Sequence, residues 1–128
     1  MNRFYTSIDE SKHLIELGLK AETADMYYNP TDWQHTQYEK IPEITTNFME
    51  GDLPCWSVGQ LLELMPERIM IENHVSSVMN LTKVSGGYGV IYDAPELYHQ
   101  TLMVGTFPID ACYSMMCYLL QNNYIKTE

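Results

Sequence analysis

The stretch Val78-Met79-Asn80-Leu81-Thr82-Lys83-Val84-Ser85-Gly86-Gly87-Tyr88-Gly89-Val90-Ile91-Tyr92 decides the fold class. From Val78 to Val84 one set of residues (Val78, Asn80, Thr82, Val84) alternates with another (Met79, Leu81, Lys83). A strand points successive side chains to opposite faces, so a period of two reads as a strand. Ser85-Gly86-Gly87 can take the positive φ of a tight hairpin turn at little steric cost. Tyr88 to Tyr92 then returns as the second strand. Working outward, Arg68 to Val75 reads as an earlier strand, with Ile69, Ile71 and a β-branched end. Beyond the Asp93-Ala94-Pro95-Glu96 loop, Leu102 to Phe107 reads as a fourth strand or an edge. The expectation is an antiparallel meander of three to four strands.

The flanking segments change period from two to 3.6. Ser7 with Glu10 three residues on is a capping box ahead of Ile8, Leu14, Ile15 and Leu17, and Gly18 supplies a left-handed stop. Ala21 to Met26 reads as a further short helical turn, ended by Asn29-Pro30. Ser57 is the N-cap of a second helix and Gln60 completes its box. Trp56 is placed to staple against Leu61, and Pro66 ends the run. Pro108 and Asp110 open a last helix, to about Asn122, whose Cys112, Met115, Met116, Leu119 and Leu120 share one face. Helices, then strands, then a helix give an α+β fold of two layers, a small antiparallel sheet packed against two to three helices. The 128 residues suit a single domain over 1–128.

Residues 27–54 are dense in aromatic residues and prolines, and neither period persists there. A short strand near Ile44–Phe48 is the one element expected. Tyr27, Tyr28, Trp33, His35 and Tyr38, with Trp56, are the candidate ligand or interface residues. Tyr and Trp combine an apolar body with a polar tip, which suits interfaces and stacking platforms.

Charge narrows the function classes. With 17 acids and 7 bases the net charge is −10. That argues against non-specific nucleic-acid binding and against anionic membranes, both of which need a basic footprint. The stretch Ile41–Pro66 holds four acids and no base, which leaves an acidic mimic of nucleic acid, blocking a basic protein, as one alternative reading. No run approaches the roughly 20 apolar residues of a membrane span. The first residues lack an apolar run before a cleavage site, so no signal peptide is expected. Three cysteines without a C-x-x-C fit free thiols in a reducing cytoplasm.

Catalytic and metal-binding patterns are sparse. His13, His35, His74 and His99 form no H-x-x-x-H pair, and Asp32-Trp33-Gln34-His35 is the nearest approach to a ligand set. No metal or cofactor is expected. Gly86-Gly87-Tyr88-Gly89 fits G-x-x-G, but the helical context and basic charge of an RNA-clamping loop are missing. Cys55 precedes the Ser57-capped helix, where a thiol can be acidified. With His35 or His99 as base it is the nucleophile of the second alternative, a small thiol-dependent hydrolase.

The block Leu53-Pro54-Cys55-Trp56-Ser57-Val58-Gly59-Gln60-Leu61-Leu62-Glu63-Leu64-Met65-Pro66 resembles small uncharacterised proteins of gut Bacteroidales, their phages and mobile elements. Pro108-Ile109-Asp110-Ala111-Cys112 and Ala21-Glu22-Thr23-Ala24-Asp25-Met26-Tyr27-Tyr28 look like further shared blocks. The resemblance implies origin on a phage or mobile element and brings no known activity. The leading expectation is therefore a non-enzymatic binding or accessory protein that occupies a host protein or a small ligand. Self-association is expected because a small sheet leaves an apolar or edge surface to cover, with a homodimer as the commonest form of such assembly.

Overall fold

The computed structural model describes residues 4–29, 43–44 and 51–125. The chain is α+β, with three helices and small antiparallel sheets among these residues. Helix α1 spans Ile8–Glu16, α2 spans Val58–Leu64 and α3 spans Pro108–Gln121. The strands are β1 Met26–Tyr28, β2 Glu43–Ile44, β3 Leu53–Cys55, β4 Met70–Ile71, β5 His74–Val75, β6 Asn80–Val84, β7 Gly87–Ala94 and β8 His99–Gly105. They form a β2-β1-β3 sheet, a β4-β5 hairpin and the β6-β7-β8 meander.

The meander is the hairpin read from Val78–Tyr92, extended by one strand. Gly86 takes φ 82° at its turn. The third strand begins at His99, three residues before the expected Leu102, and ends at Gly105 rather than Phe107. A single 3₁₀ turn at Pro95–Leu97, closed by Tyr98 in the left-handed region, re-aims the chain early. The expected strand Arg68–Val75 is instead two short strands around Glu72 (φ 48°) and Asn73 (φ 69°). Two successive positive φ values make the turn that matches strand twist, so the segment folds back on itself.

The Ser7 capping box is complete: Glu10 N donates to Ser7 Oγ at 3.1 Å and Ser7 N to Glu10 Oε1 at 2.8 Å. At Ser57 only half of the expected box is present. Ser57 Oγ accepts from Gln60 N at 3.1 Å. Ser57 N donates to Asp25 Oδ1 at 2.9 Å, and the Gln60 side chain reaches Thr23 O at 2.6 Å. An ionised carboxylate is a stronger acceptor at a helix N-terminus than a neutral amide, so Asp25 displaces Gln60 from that role. This long-range clamp also explains why Ala21–Met26 is not one helical turn: a 3₁₀ turn covers Ala21–Thr23, and Met26 already pairs with Cys55 in β1. Of the strand expected at Ile44–Phe48, Ile44 falls at the end of β2, and 45–48 lie outside the described residues.

The core lies between α3 and the meander. Ile109, Ala111, Cys112, Met115, Met116, Leu119 and Leu120 of α3 are buried in one cluster with Val90, Tyr92 and Ala94 of β7, Leu61 of α2 and Leu14 of α1. Helix α3 starts at Pro108, and Phe107 N donates to Asp110 Oδ2 at 3.0 Å. A smaller apolar cluster of Tyr28, Leu53 and Cys55 packs with Tyr5, Ile8 and Met26. Among the described residues no helix is long and apolar enough to cross a membrane.

Candidate functional site

The aromatic residues singled out in the sequence do not converge on one surface. Trp33, His35 and Tyr38 lie outside the described residues. Trp56 is fully buried in the main core, and its Nε1 donates to Thr23 Oγ1 at 3.0 Å. Tyr28 is buried in the smaller cluster, where its hydroxyl donates to Thr6 O at 2.8 Å. Tyr27 pairs with Pro54 and Glu43 in the first sheet, and its side chain is buried too. Burial foremost raises the hydroxyl pKa of Tyr27, with the nearby carboxylates of Asp52 and Asp25 adding to the shift. Each described member of the set thus has an intramolecular role that the density of aromatics in the sequence could not reveal.

Cys55 is held in a polar knot at the same place. Its Sγ donates to Thr6 O at 3.3 Å, and Thr6 Oγ1 lies 3.6 Å from the sulfur. Thr6 Oγ1 also meets Ser11 Oγ at 2.8 Å and accepts from Trp56 N at 3.1 Å. Burial pushes the Cys55 thiol up to about 11, against the partial opposition of its bonds to Thr6 and Tyr28. Cys112, buried on α3, is pushed up to about 11 by burial as well. The proximity of a helix N-terminus does not acidify Cys55, because loss of hydration outweighs it. His99, one of the two candidate bases, stands at the start of β8 with its Nε2 3.4 Å from Thr101 Oγ1.

All three cysteines are free, and the third has partners the sequence did not signal. Cys117 Sγ lies 3.7 Å from His13 Nδ1, which is 2.6 Å from Tyr113 Oη, at the seam between α1 and α3. His13 and Cys117 are 104 residues apart, so no local spacing could have announced the contact. Burial raises the Cys117 thiol, its bond to Tyr113 lowers it, and the charge of Glu10 raises it further. Among the described residues no group of three or more His, Cys, Asp or Glu could hold a metal ion.

These thiols carry a pH prediction. The folded chain holds Cys55 and Cys112 protonated to about 11, whereas unfolded they titrate near 9. The stability tied to each is therefore complete below about pH 9 and is lost as pH rises towards 11. The loss is on the order of 2–3 kcal/mol per thiol. Urea midpoints at pH 8 and pH 10.5 measure it, and equal midpoints would contradict the assignment. At neutral pH, alkylation is expected to reach Cys117 first and Cys55 only on unfolding; fast, selective labelling of Cys55 would favour the hydrolase reading instead.

The surface that stands out is the outer face of the meander, opposite α3. Strand register places Thr82, Gly89 and Val104 in one row and Asn80, Ile91 and Leu102 in the next, with Val84 beside Gly87 at one end and Asp93 beside Gln100 at the other. A methyl group added at Gly89 would meet Leu102 Cδ1 at 3.0 Å, Val84 Cγ1 at 3.3 Å and Val104 Cγ1 at 3.6 Å. Three apolar side chains thus close over one glycine, while Leu102 and Val104 remain 40% and 56% exposed. At the Val84 end the face runs into an open cleft of about 290 Å³, lined by Val84, Ser85, Gly86, Val104, Gly105 and Thr106. Asp93 is the single charged residue in these rows. The sequence signal was present in the β-branched residues of both strands, but facing requires the register.

Comparison with known proteins adds no relative: no family model, no curated protein and no solved structure matches the chain.

Proposed function

We propose that this chain is a non-enzymatic binding protein, an accessory factor that acts by occupying another protein. The observation that carries the reading is the uncovered apolar face of Val84, Leu102 and Val104 closed over Gly89. An exposed apolar patch with a polar rim is the usual mark of an interaction site. The rest of the chain brings a net charge of −10 to any encounter. Charge complementarity therefore selects a partner with an apolar patch rimmed by lysine or arginine. The cleft at the Val84 end favours a second reading, in which a small apolar ligand or a partner side chain seats there. The thiol-hydrolase alternative asks Cys55 to act from inside the core with a thiol held protonated by burial. The nucleic-acid mimic asks for free carboxylates, whereas Glu10, Asp25 and Asp110 are engaged at helix N-termini. A reducing cytoplasm, in keeping with the three free thiols, and origin on a phage or mobile element belong to the same proposal.

The test places a photo-crosslinking benzophenone side chain at position 84, in cells that encode the protein. The expected result is a covalent adduct with one other, basic protein that weakens as salt is raised. The comparison is position 63, exposed on α2. Equal adducts from both positions, no adduct from position 84, or adducts with a second copy alone would overturn the reading.

A further inference from the structure

We infer that two copies of this chain pair antiparallel along the free edge of β8, joining their meanders into one six-stranded sheet. The inference rests on the strand edge and not on what the outer face binds, so either can fail alone. Strand β8 lies at the end of the β6-β7-β8 order, and among the described residues no backbone hydrogen bond reaches its outer edge. An unpaired edge is a template for another strand, and soluble proteins blunt it with lysine, proline, a bulge or a covering element. At the opposite edge β6 carries Lys83, which is exposed. Strand β8, His99-Gln100-Thr101-Leu102-Met103-Val104-Gly105, has no proline and no Lys, Arg, Asp or Glu, and pairs with β7 without a break in register.

Charge identifies the occupant as a second copy. In a chain with 24 Asp, Glu, Lys and Arg residues in total, the segment Leu97–Ile125 holds one, Asp110, and its carboxylate caps α3. That segment is β8 together with the helix packed on it. Two molecules of net charge −10 repel across most approaches, and this side brings them together with no like charges opposed at the seam. Depletion of charge with enrichment in Tyr and Met is also the composition of an interface core. Tyr98, Met103, Tyr113, Tyr118 and Tyr124 fall within it and are exposed or half-buried.

The strand is its own complement. Full antiparallel overlap of residues 99–105 places Leu102 of one copy opposite Leu102 of the other, and Gln100 opposite Val104. Leu102 faces the outer side in both copies, so the pairing also makes the two apolar faces continuous. Seven residues give an edge about 24 Å long, and the two layers beside it make a strip of roughly 500 Å² per copy. That is below the ~800 Å² per partner of a standard stable interface. The dimer is accordingly concentration-dependent.

Sedimentation velocity from about 1 to about 300 µM tests it, with a monomer–dimer equilibrium expected within that range. Leu102→Glu sets two carboxylates opposite each other and is expected to weaken the dimer at least about tenfold. Leu102→Lys does the same by itself, and mixing the two variants is expected to restore association as a heterodimer. Val75→Glu, at a residue 60% exposed on the separate hairpin, is expected to leave the equilibrium unchanged. Should a Leu102 variant fail to fold, amide exchange of wild-type residues 99–105 serves instead, slowing as concentration rises. A monomer throughout, an unchanged dimer in Leu102→Glu, no rescue on mixing, or concentration-independent exchange would each overturn the inference. A wild-type monomer whose β8 amides are protected by a strand of another protein overturns it too.

Discussion

Trp56→Ala is expected to remove about 3–5 kcal/mol of stability, the usual cost of emptying a buried indole site. Domains of this size hold roughly 5–15 kcal/mol in total, so the variant gives up a large share of the stability that keeps the chain folded. Three functions converge on this one residue. Its ring is fully buried in the main core, in the same apolar cluster as Leu61, Met65 and Ile109. Its indole N–H reaches Thr23 Oγ1 at 3.0 Å and ties the 3₁₀ turn to α2. Its backbone joins the N-terminal segment, with Thr6 N donating to Trp56 O at 2.9 Å. Trp56→Phe separates the first two roles, since it keeps most of the ring volume and loses the hydrogen bond. About 1–2 kcal/mol is expected for that change. Urea unfolding followed by circular dichroism measures both. A loss below about 1 kcal/mol in Trp56→Ala would mean that the ring is not packed as described.

The second large effect comes from adding a single methyl group. Gly105 lies where the end of β8 passes under the first turn of α3. A Cβ there would overlap Asp110 Cβ and stand 2.9 Å from Ala111 N and 3.0 Å from Asp110 C. These are atoms of a helix backbone, not the tips of flexible side chains, so the clash cannot relax locally. Helix α3 would have to lift from the sheet, and the bond from Phe107 N to Asp110 Oδ2 would stretch with it. Gly105→Ala is therefore expected to cost about 3 kcal/mol or more, above the usual range for overpacking. Gly87→Ala is the paired case, because its Cβ would meet the carbonyl oxygen of Gly105 and then Thr106 Cα at 3.2 Å. Gly89→Ala meets only side-chain atoms, which can shift, and is expected to be mild. Thermal unfolding ranks the three, and equal melting temperatures would contradict the close approach of α3 to β8. Gly87 and Gly105 are needed for space and not for backbone freedom, since neither takes a positive φ.

Much of the architecture was legible before the structure because it is written in short-range signals. Ser7 with Glu10, Pro108 with Asp110, and the alternation around Ser85-Gly86 each act within a few residues, where steric and hydrogen-bonding rules hold regardless of context. The last helix shows this best. Cys112, Met115, Met116, Leu119 and Leu120 all lie on its buried face, as their spacing predicted. The positive-φ turn at Glu72-Asn73 was missed because glutamate is a poor marker of that conformation, and only pairing of the flanking strands holds it there.

What the sequence by itself determined is the α+β class, the helix starts, the central hairpin and the acidic character of the whole. These follow from local sterics, side-chain period and composition. The tertiary structure alone decided which side chains meet. It turned Trp56, Tyr28 and Cys55 inward, substituted Asp25 for Gln60 at the second helix, brought His13 to Cys117, and left Leu102 and Val104 exposed on the end strand of the meander. Register and burial arise from contacts between residues tens of positions apart. The free energy of such a contact depends on what else is buried with it, and no window of sequence contains that information.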